Sequence, residues 1–182
     1  NTRLQKPPVF IIGFWRSGTT MLHDLLCQSK DASFVTTYQT IFPHLVLSHA
    51  AWLKPLANLL MPSNRPLDNV DMDLEYPQEE EIAMANIQTL SFYNFFYFPR
   101  NYDNFYHRDL FFEQATAKQL GLWKKEYRKL IAKALINRPG ERFISKNPPN
   151  LARIKVLHEM FPEARFIFIY RNPYNVIESF YR

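Results

Sequence analysis

A chain of 182 residues, 47% of them hydrophobic, is long enough for one domain with a sizeable core and too apolar for general disorder. Its net charge of +5 suits an anionic ligand, but the Lys and Arg residues are scattered with no basic run longer than Lys124-Lys125, which argues against nucleic acid as a partner. The single cysteine, Cys27, excludes an internal disulfide framework and a Cys-based zinc cluster, and no run approaches the roughly 18 apolar residues of a membrane span.

Taken in order, the chain opens with the apolar run Val9-Phe10-Ile11-Ile12, predicted as a strand from Pro8 to Gly13. The turn Gly13-Phe14-Trp15-Arg16-Ser17-Gly18-Thr19-Thr20 follows, then a helix to about Ser29. Ala32 to Thr37 reads as a second short strand, because Phe34, Val35, Thr36 and Thr37 favour pleated structure. Ile41 to Leu60 reads as one or two helices broken by Pro43 and Pro55, and Met61 to Asp73 as a loop. A helix is expected from Pro77, tolerated in a first turn, through Glu79-Glu80-Glu81 toward Phe98. Asn101 to Asp109 reads as an aromatic-rich loop, and Leu110 to Asn137 as a long helix or a pair split near Gly121.

The last third is the most regular. Arg142-Phe143-Ile144-Ser145 is a strand, Lys146-Asn147-Pro148-Pro149 a turn, and Asn150 a cap for a helix running to about Met160. Arg165-Phe166-Ile167-Phe168-Ile169-Tyr170 reads as a strand buried on both faces. Arg171-Asn172-Pro173 then turns the chain, with Asn172 as cap and Pro173 at the first helical position. Three strand–turn–helix units imply an α/β fold: a P-loop-like parallel sheet covered by helices, with a helical insertion in the middle. The expected organisation is a single domain over residues 1–182, truncated on its C-terminal side because the chain stops inside an apparent helix. No signal peptide is visible, so a cytoplasmic location is the expectation.

The turn after the first strand has the spacing of a phosphate-binding P-loop, G-x-x-x-x-G-K-[ST], but Thr19 stands where the lysine belongs. That departure leads away from an ATPase or GTPase. Converging backbone N–H groups and the positive end of a helix remain suited to an anion, and the nearest cation is Arg16. Ligands of such sheets bind at the carboxyl ends of the strands. Each of the three clear strand ends carries a cation in its turn: Arg16, Lys146 and Arg171. A ligand with two separated anionic groups would explain this layout, one group on the loop with the Ser17, Thr19 and Thr20 hydroxyls, the other at Arg171. From spacing alone Ser179 is an ordinary helix-surface serine.

Two motifs give a specific resemblance. Phe14-Trp15-Arg16-Ser17-Gly18-Thr19-Thr20 is similar to the 5′-phosphosulfate loop of sulfotransferases that use 3′-phosphoadenosine 5′-phosphosulfate (PAPS), in the Arg form of bacterial members and tyrosylprotein sulfotransferases. Tyr170-Arg171-Asn172-Pro173 through Glu178-Ser179 is similar to the family's 3′-phosphate motif. The chain therefore resembles the amino-terminal half of such an enzyme. The resemblance implies PAPS as sulfuryl donor, the desulfated nucleotide PAP as product, no metal, and a small-molecule, lipid or carbohydrate hydroxyl as acceptor. It assigns Arg16, Ser17, Gly18, Thr19, Thr20, Arg171 and Ser179 to the nucleotide, and Lys146, in Phe143-Ile144-Ser145-Lys146-Asn147-Pro148, to a place beside the transferring group.

A hydroxyl acceptor must lose its proton as it attacks, so a base is expected. The stretch where the tyrosylprotein type keeps its Glu, Val35 to Thr40, has no carboxylate here. Pro77-Gln78-Glu79-Glu80-Glu81 resembles an acidic segment of many bacterial members. Glu79 shares a helix face with Ile82, Ala83 and Asn86 and is the expected base, with Glu80 and Glu81 as reserves; acids in a first turn are also commonly just solvated. Three adjacent carboxylates would raise one another's pKa. Of the five histidines, His44 is the nearest rival. The aromatics between Phe92 and Phe112 read as core, or else as an apolar acceptor pocket. The alternative functions are a P-loop kinase of small molecules and a non-catalytic nucleotide- or anion-binding module.

Overall fold

A strand made of Val-Phe-Ile-Ile has no polar side chain to show to water, and β1 (Val9–Gly13) accordingly runs through the middle of the sheet with every residue buried. β3 (Arg142–Lys146) pairs with it in parallel, Ile11 opposite Lys146, and β4 (Arg165–Ile169) pairs on the other side, Gly13 opposite Ile169. A two-residue strand, β2 (Ala32–Ser33), joins outside β3. The order is β2-β3-β1-β4. This computed structural model describes residues 4–48, 50–60 and 73–181.

The helices in chain order are α1 (Thr19–Cys27), α2 (Thr37–Ile41), α3 (Ala50–Leu60), α4 (Glu80–Ile87), the single turn α5 (Tyr102–Asn104), α6 (Ala117–Asn137), α7 (Ile154–Met160) and α8 (Pro173–Tyr181). Alternation along β1 divides the core in two. Phe10 and Ile12 face a large cluster with Trp123, Tyr127 and Leu130 of α6 and Leu157 of α7, while Ile11 faces Cys27, Phe34 and Ile144. Each such fully buried side chain contributes about 1.5–3 kcal/mol relative to exposure. The helices α2 to α6 lie between β2 and β3 in the chain and form the expected insertion.

Gly13 closes β1 where only a glycine fits. A Cβ there would stand 2.6 Å from the Ile169 carbonyl oxygen and 3.0 Å from Thr19 Cγ2, so the strand end, β4 and the following loop are in direct backbone contact.

Several elements depart from the sequence expectation for local reasons. The strand expected to Thr37 ends at Ser33, because the Thr36 hydroxyl turns to cap α2, accepting the Gln39 N–H at 3.3 Å. Helix α4 starts at Glu80, not Pro77: Pro77 is bridged to Thr36 and the Gln78 N–H donates to the Val35 carbonyl at 2.8 Å, which holds residues 77–79 extended. It stops at Ile87 where Gln88 is extended, and a separate 3-10 turn spans Phe92–Phe96. The expected aromatic loop is helical, through Pro99–Asn101, α5 and the wide turn Phe105–Leu110. The long helix begins only at Ala117, set by a reciprocal Thr116–Gln119 capping box, and passes Gly121 unbroken. Asn150 is not a helix cap. It is buried in a 3-10 turn (Pro148–Arg153), where it donates to Tyr127 Oη at 3.2 Å and Ser145 Oγ at 3.3 Å. β4 is not buried on both faces: it lies at the sheet edge, Phe166 stacks on Phe10 at 5.5 Å, and Phe168 remains 60% exposed. Asn172 does cap α8, its side-chain oxygen accepting the Tyr174 N–H at 2.9 Å. The loop expected over Met61 to Asp73 lies, as far as residue 72, outside the described residues.

Candidate active site

The turn after β1 is built to expose backbone donors. Arg16 (φ 64°) and Gly18 (φ 96°) both occupy the left-handed region, which tightens the loop and delivers it to α1. Gly18 caps α1 but brings no side-chain acceptor, and the first helical turn holds no acidic residue. The orphan N–H groups and positive end of this nine-residue helix are left for an external anion. Within the loop, Ser17 Oγ donates to the Phe14 carbonyl at 2.6 Å and Thr19 is buried; Thr20, Gly18 and Arg16 are exposed.

Register places the other cations at the same edge. Arg16 Nε donates to Ser179 Oγ at 2.9 Å, and Arg171 Nη1 donates to the Arg16 carbonyl at 3.1 Å. Residues more than 150 positions apart in the chain therefore meet across the loop. The residues expected from the sequence at two anion subsites adjoin each other.

Lys146 ends β3 directly beside Ile11, and its buried side chain forms an ion pair with Glu79 Oε1. Glu79 Oε2 accepts from Tyr93 Oη. Together with Thr20, Thr37, Thr40 and Ile82, Glu79 and Lys146 line a cavity of about 340 Å³. The loop helix, the β3 end and the α4 start thus converge on one space. Glu79 and Ile82 share this face, as the helical spacing implies. His44 is exposed on the turn after α2, away from that lining.

Glu80 and Glu81, the reserve bases, have different surroundings. Glu79 is extended before α4, and Glu80 and Glu81 point about 100° apart in its first turn, so three neighbouring carboxylates meet three different partners. Glu81 is fully buried and bidentate to Arg153, at 2.5 Å (Nη1) and 3.0 Å (Nη2), and also accepts from Ser91 Oγ at 2.8 Å and the Phe92 N–H at 2.7 Å. Burial opposes its charge, but the Arg153 guanidinium and these donors hold its carboxyl below the usual range. Glu80 is equally buried and accepts from Ser145 Oγ at 2.9 Å; burial pushes its carboxyl up to about 8, against that hydrogen bond. Its shift owes far more to desolvation than to repulsion among the acids, with Glu79 the last of its causes. His23 of α1 is buried near Lys146, and burial followed by that charge lowers it to about 3. Neither Glu80 nor Glu81 opens on the cavity, and Glu79 does.

A second cavity, of about 750 Å³, adjoins the loop at Phe14 and Trp15. Phe14, Trp15, Phe92, Phe95, Phe96 and Phe111 are among its walls, so the aromatics read as core form both a core and a cavity. No group of three or more His, Cys, Asp or Glu residues suited to a metal occurs among the described residues, and no helix of theirs is long and apolar enough to cross a membrane.

Fold and loop together bring a helix start free of acidic residues and the cations Arg16, Lys146 and Arg171 to the strand ends of a P-loop-like parallel sheet. The chain belongs to the Sulfotransferase family, whose profile matches residues 7–182. Two proteins named omega-hydroxy-beta-dihydromenaquinone-9 sulfotransferase Stf3, from Mycobacterium bovis and Mycobacterium tuberculosis, are each 37% identical to it over 178 residues. The match takes in 98% of this chain and 45% of each relative, so the chain spans about half their length. Among solved structures, sulfotransferase STF9 from Mycobacterium avium superposes with a TM-score of 0.63 at 19% identity, covering 98% of this chain and 46% of that one. Sulfotransferase STF1 from Mycobacterium tuberculosis H37Rv gives 0.55 at 18% identity, covering 93% and 46%. These two share the fold.

Sequence reasoning did not reach Tyr93, Thr37 or Thr40. Tyr93 sits in a run of aromatics with nothing to separate a hydroxyl that meets a carboxylate from a ring that fills space. The two threonines lie in the carboxylate-free stretch Val35 to Thr40, where nothing in the sequence marks a hydroxyl that lines a cavity.

Proposed function

We propose that the protein moves a sulfuryl group from PAPS to a hydroxyl of an apolar acceptor. The observation that carries this reading is the meeting of Glu79, Lys146 and Thr20 at one cavity, at the strand ends of a Sulfotransferase family chain. The donor set suits the nucleotide: a helix start free of acidic residues, two arginines and a lysine, with no carboxylate on the loop itself. Arg16, Ser17, Gly18, Thr19 and Thr20 would hold its 5′ end, and Arg171 with Ser179 its 3′-phosphate. When bound, PAPS supplies the sulfuryl group for in-line displacement.

Glu79 takes the acceptor's proton while the acceptor oxygen bonds to sulfur and the sulfur–oxygen bond to the 5′-phosphate breaks. Lys146 and Arg16 offset the negative charge that grows on the departing phosphate oxygens. A sulfuryl group carries less charge than a phosphoryl group, which suits a loop with Thr19 in place of the P-loop lysine. The acceptor class is supported by the aromatic cavity beside the loop and by the relatives named for a hydroxylated menaquinone.

The test is transfer of radiolabel from ³⁵S-PAPS to geranylgeraniol, used as an apolar alcohol probe, by the full-length protein. Arg16→Ala should lower transfer about 100-fold, the cost of removing a charge-stabilising donor; retained activity would refute its role. Thermal stabilisation by PAP alone supports the reading, and a preference for ATP with Mg²⁺ would replace it with a kinase. PAP binding with no transfer to any alcohol would indicate a binding module.

A further inference from the structure

Glu79 is held by two contacts of different kinds. It is the N-cap of α4, its carbonyl accepting the Ile82 N–H, but its side chain makes no capping bond, so both carboxylate oxygens are available to other elements. Oε1 takes Lys146, and Oε2 takes the hydroxyl of Tyr93. Lys146 has a second task under the reading above, because the same ammonium must meet the charge developing in sulfuryl transfer. Tyr93 lines neither cavity, and its ring packs in the cluster of Phe92, Phe105 and Leu110.

The support behind Tyr93 is rigid. It is 7% exposed on the 3-10 turn Phe92–Phe96, with its ring edge-on to Phe96 at 5.3 Å. The backbone of that turn is pinned where the Phe92 N–H donates to Glu81, which is itself locked to buried Arg153. Trp15 of the loop adjoins the Tyr93 hydroxyl. A chain of contacts therefore runs from the Glu81–Arg153 pair, through the turn, to the carboxylate in the cavity.

We propose that Tyr93 is the positioning residue that keeps Glu79 aimed into the cavity when Lys146 turns to the sulfuryl group. The proposal rests on Glu79 being the base. Burial, and then the Glu79 charge, hold the Tyr93 phenol well above its ordinary value, so it remains a donor throughout the working range. The other ionisable groups around Glu79 are Lys146, Glu80 and Glu81, with His23 behind Lys146.

The experiment compares wild type, Tyr93→Phe and Glu79→Gln in the full-length protein, with ³⁵S-PAPS and geranylgeraniol as the probe pair and PAP thermal shift as the check on folding and nucleotide binding. Tyr93→Phe should lower kcat about 10- to 100-fold, the range for a hydrogen bond to a charged group, with KM for PAPS and the PAP shift within about twofold of wild type. The acid limb of its pH–rate profile should move to higher pH, because the ionised carboxylate has lost a donor. Wild-type rates and an unmoved acid limb, with Glu79→Gln inactive, would overturn the role of Tyr93 and leave the base in place. Loss of PAP binding in Tyr93→Phe would reduce Tyr93 to a structural residue and also overturn it. Full activity in Glu79→Gln would remove the base, and the proposal with it.

Discussion

Replacing Glu80 by Gln should make the protein more resistant to alkaline unfolding. Glu80 is fully buried, its Oε2 held by Ser145 Oγ at 2.9 Å and its Oε1 without a hydrogen-bond partner. Burial lifts its carboxyl from 4.5 to about 8. The folded protein therefore binds the Glu80 proton more tightly than the unfolded chain does. The resulting stabilisation is complete below the unfolded value and is lost progressively as pH rises through about 8. At roughly 1.4 kcal/mol per pH unit, a rise from 4.5 to about 8 corresponds to a ceiling of about 5 kcal/mol. Glutamine has the same shape, still accepts from Ser145 and cannot ionise. Urea unfolding from about pH 5 to about pH 9 should show the stability of wild type relative to Glu80→Gln falling by several kcal/mol across that window. A difference that stays flat, or that moves in favour of wild type at high pH, would refute the reasoning.

Other expectations follow from contacts already described. Arg153→Leu strands the buried Glu81 carboxylate and should cost about 3–5 kcal/mol in urea unfolding, part of which the double variant Arg153→Leu, Glu81→Gln recovers. Gly13→Ala drives a methyl to 2.6 Å from the Ile169 carbonyl oxygen. It should cost about 1–3 kcal/mol by the same measurement and weaken the PAP-induced thermal shift, because the loop must move with the strand end.

The carboxyl-end cations were legible in the sequence because each follows directly from a strand-to-turn boundary. Arg16, Lys146 and Arg171 are one to four residues past an apolar run, and chain direction alone sends them to the same edge of a parallel sheet. Gly13 and Gly18 were equally legible, since a tight turn after a strand calls for glycine. Glu79 could be chosen from its neighbours only by helical phase, through its spacing to Ile82. The environments of Glu80 and Glu81 could not, because they depend on Ser145 and Arg153, more than 60 residues away. Elements differ from the local expectation where a side chain has two uses. The Thr36 hydroxyl ended a strand by capping a helix, and Asn150 bonded within the core in place of capping.

Residues 9–20 by themselves settle a buried strand, a glycine turn and a helix start without the P-loop lysine, because these are consequences of local sterics and periodicity. The same local information sets the α/β order of elements and the sign of charge at the strand ends. Only the tertiary structure decided which groups pair there: Arg16 with Ser179, Lys146 with Glu79, and Glu79 with Tyr93. Those pairings are made across the sheet, between the insertion and β3, and between two turns within the insertion, and each depends on how separate elements pack together.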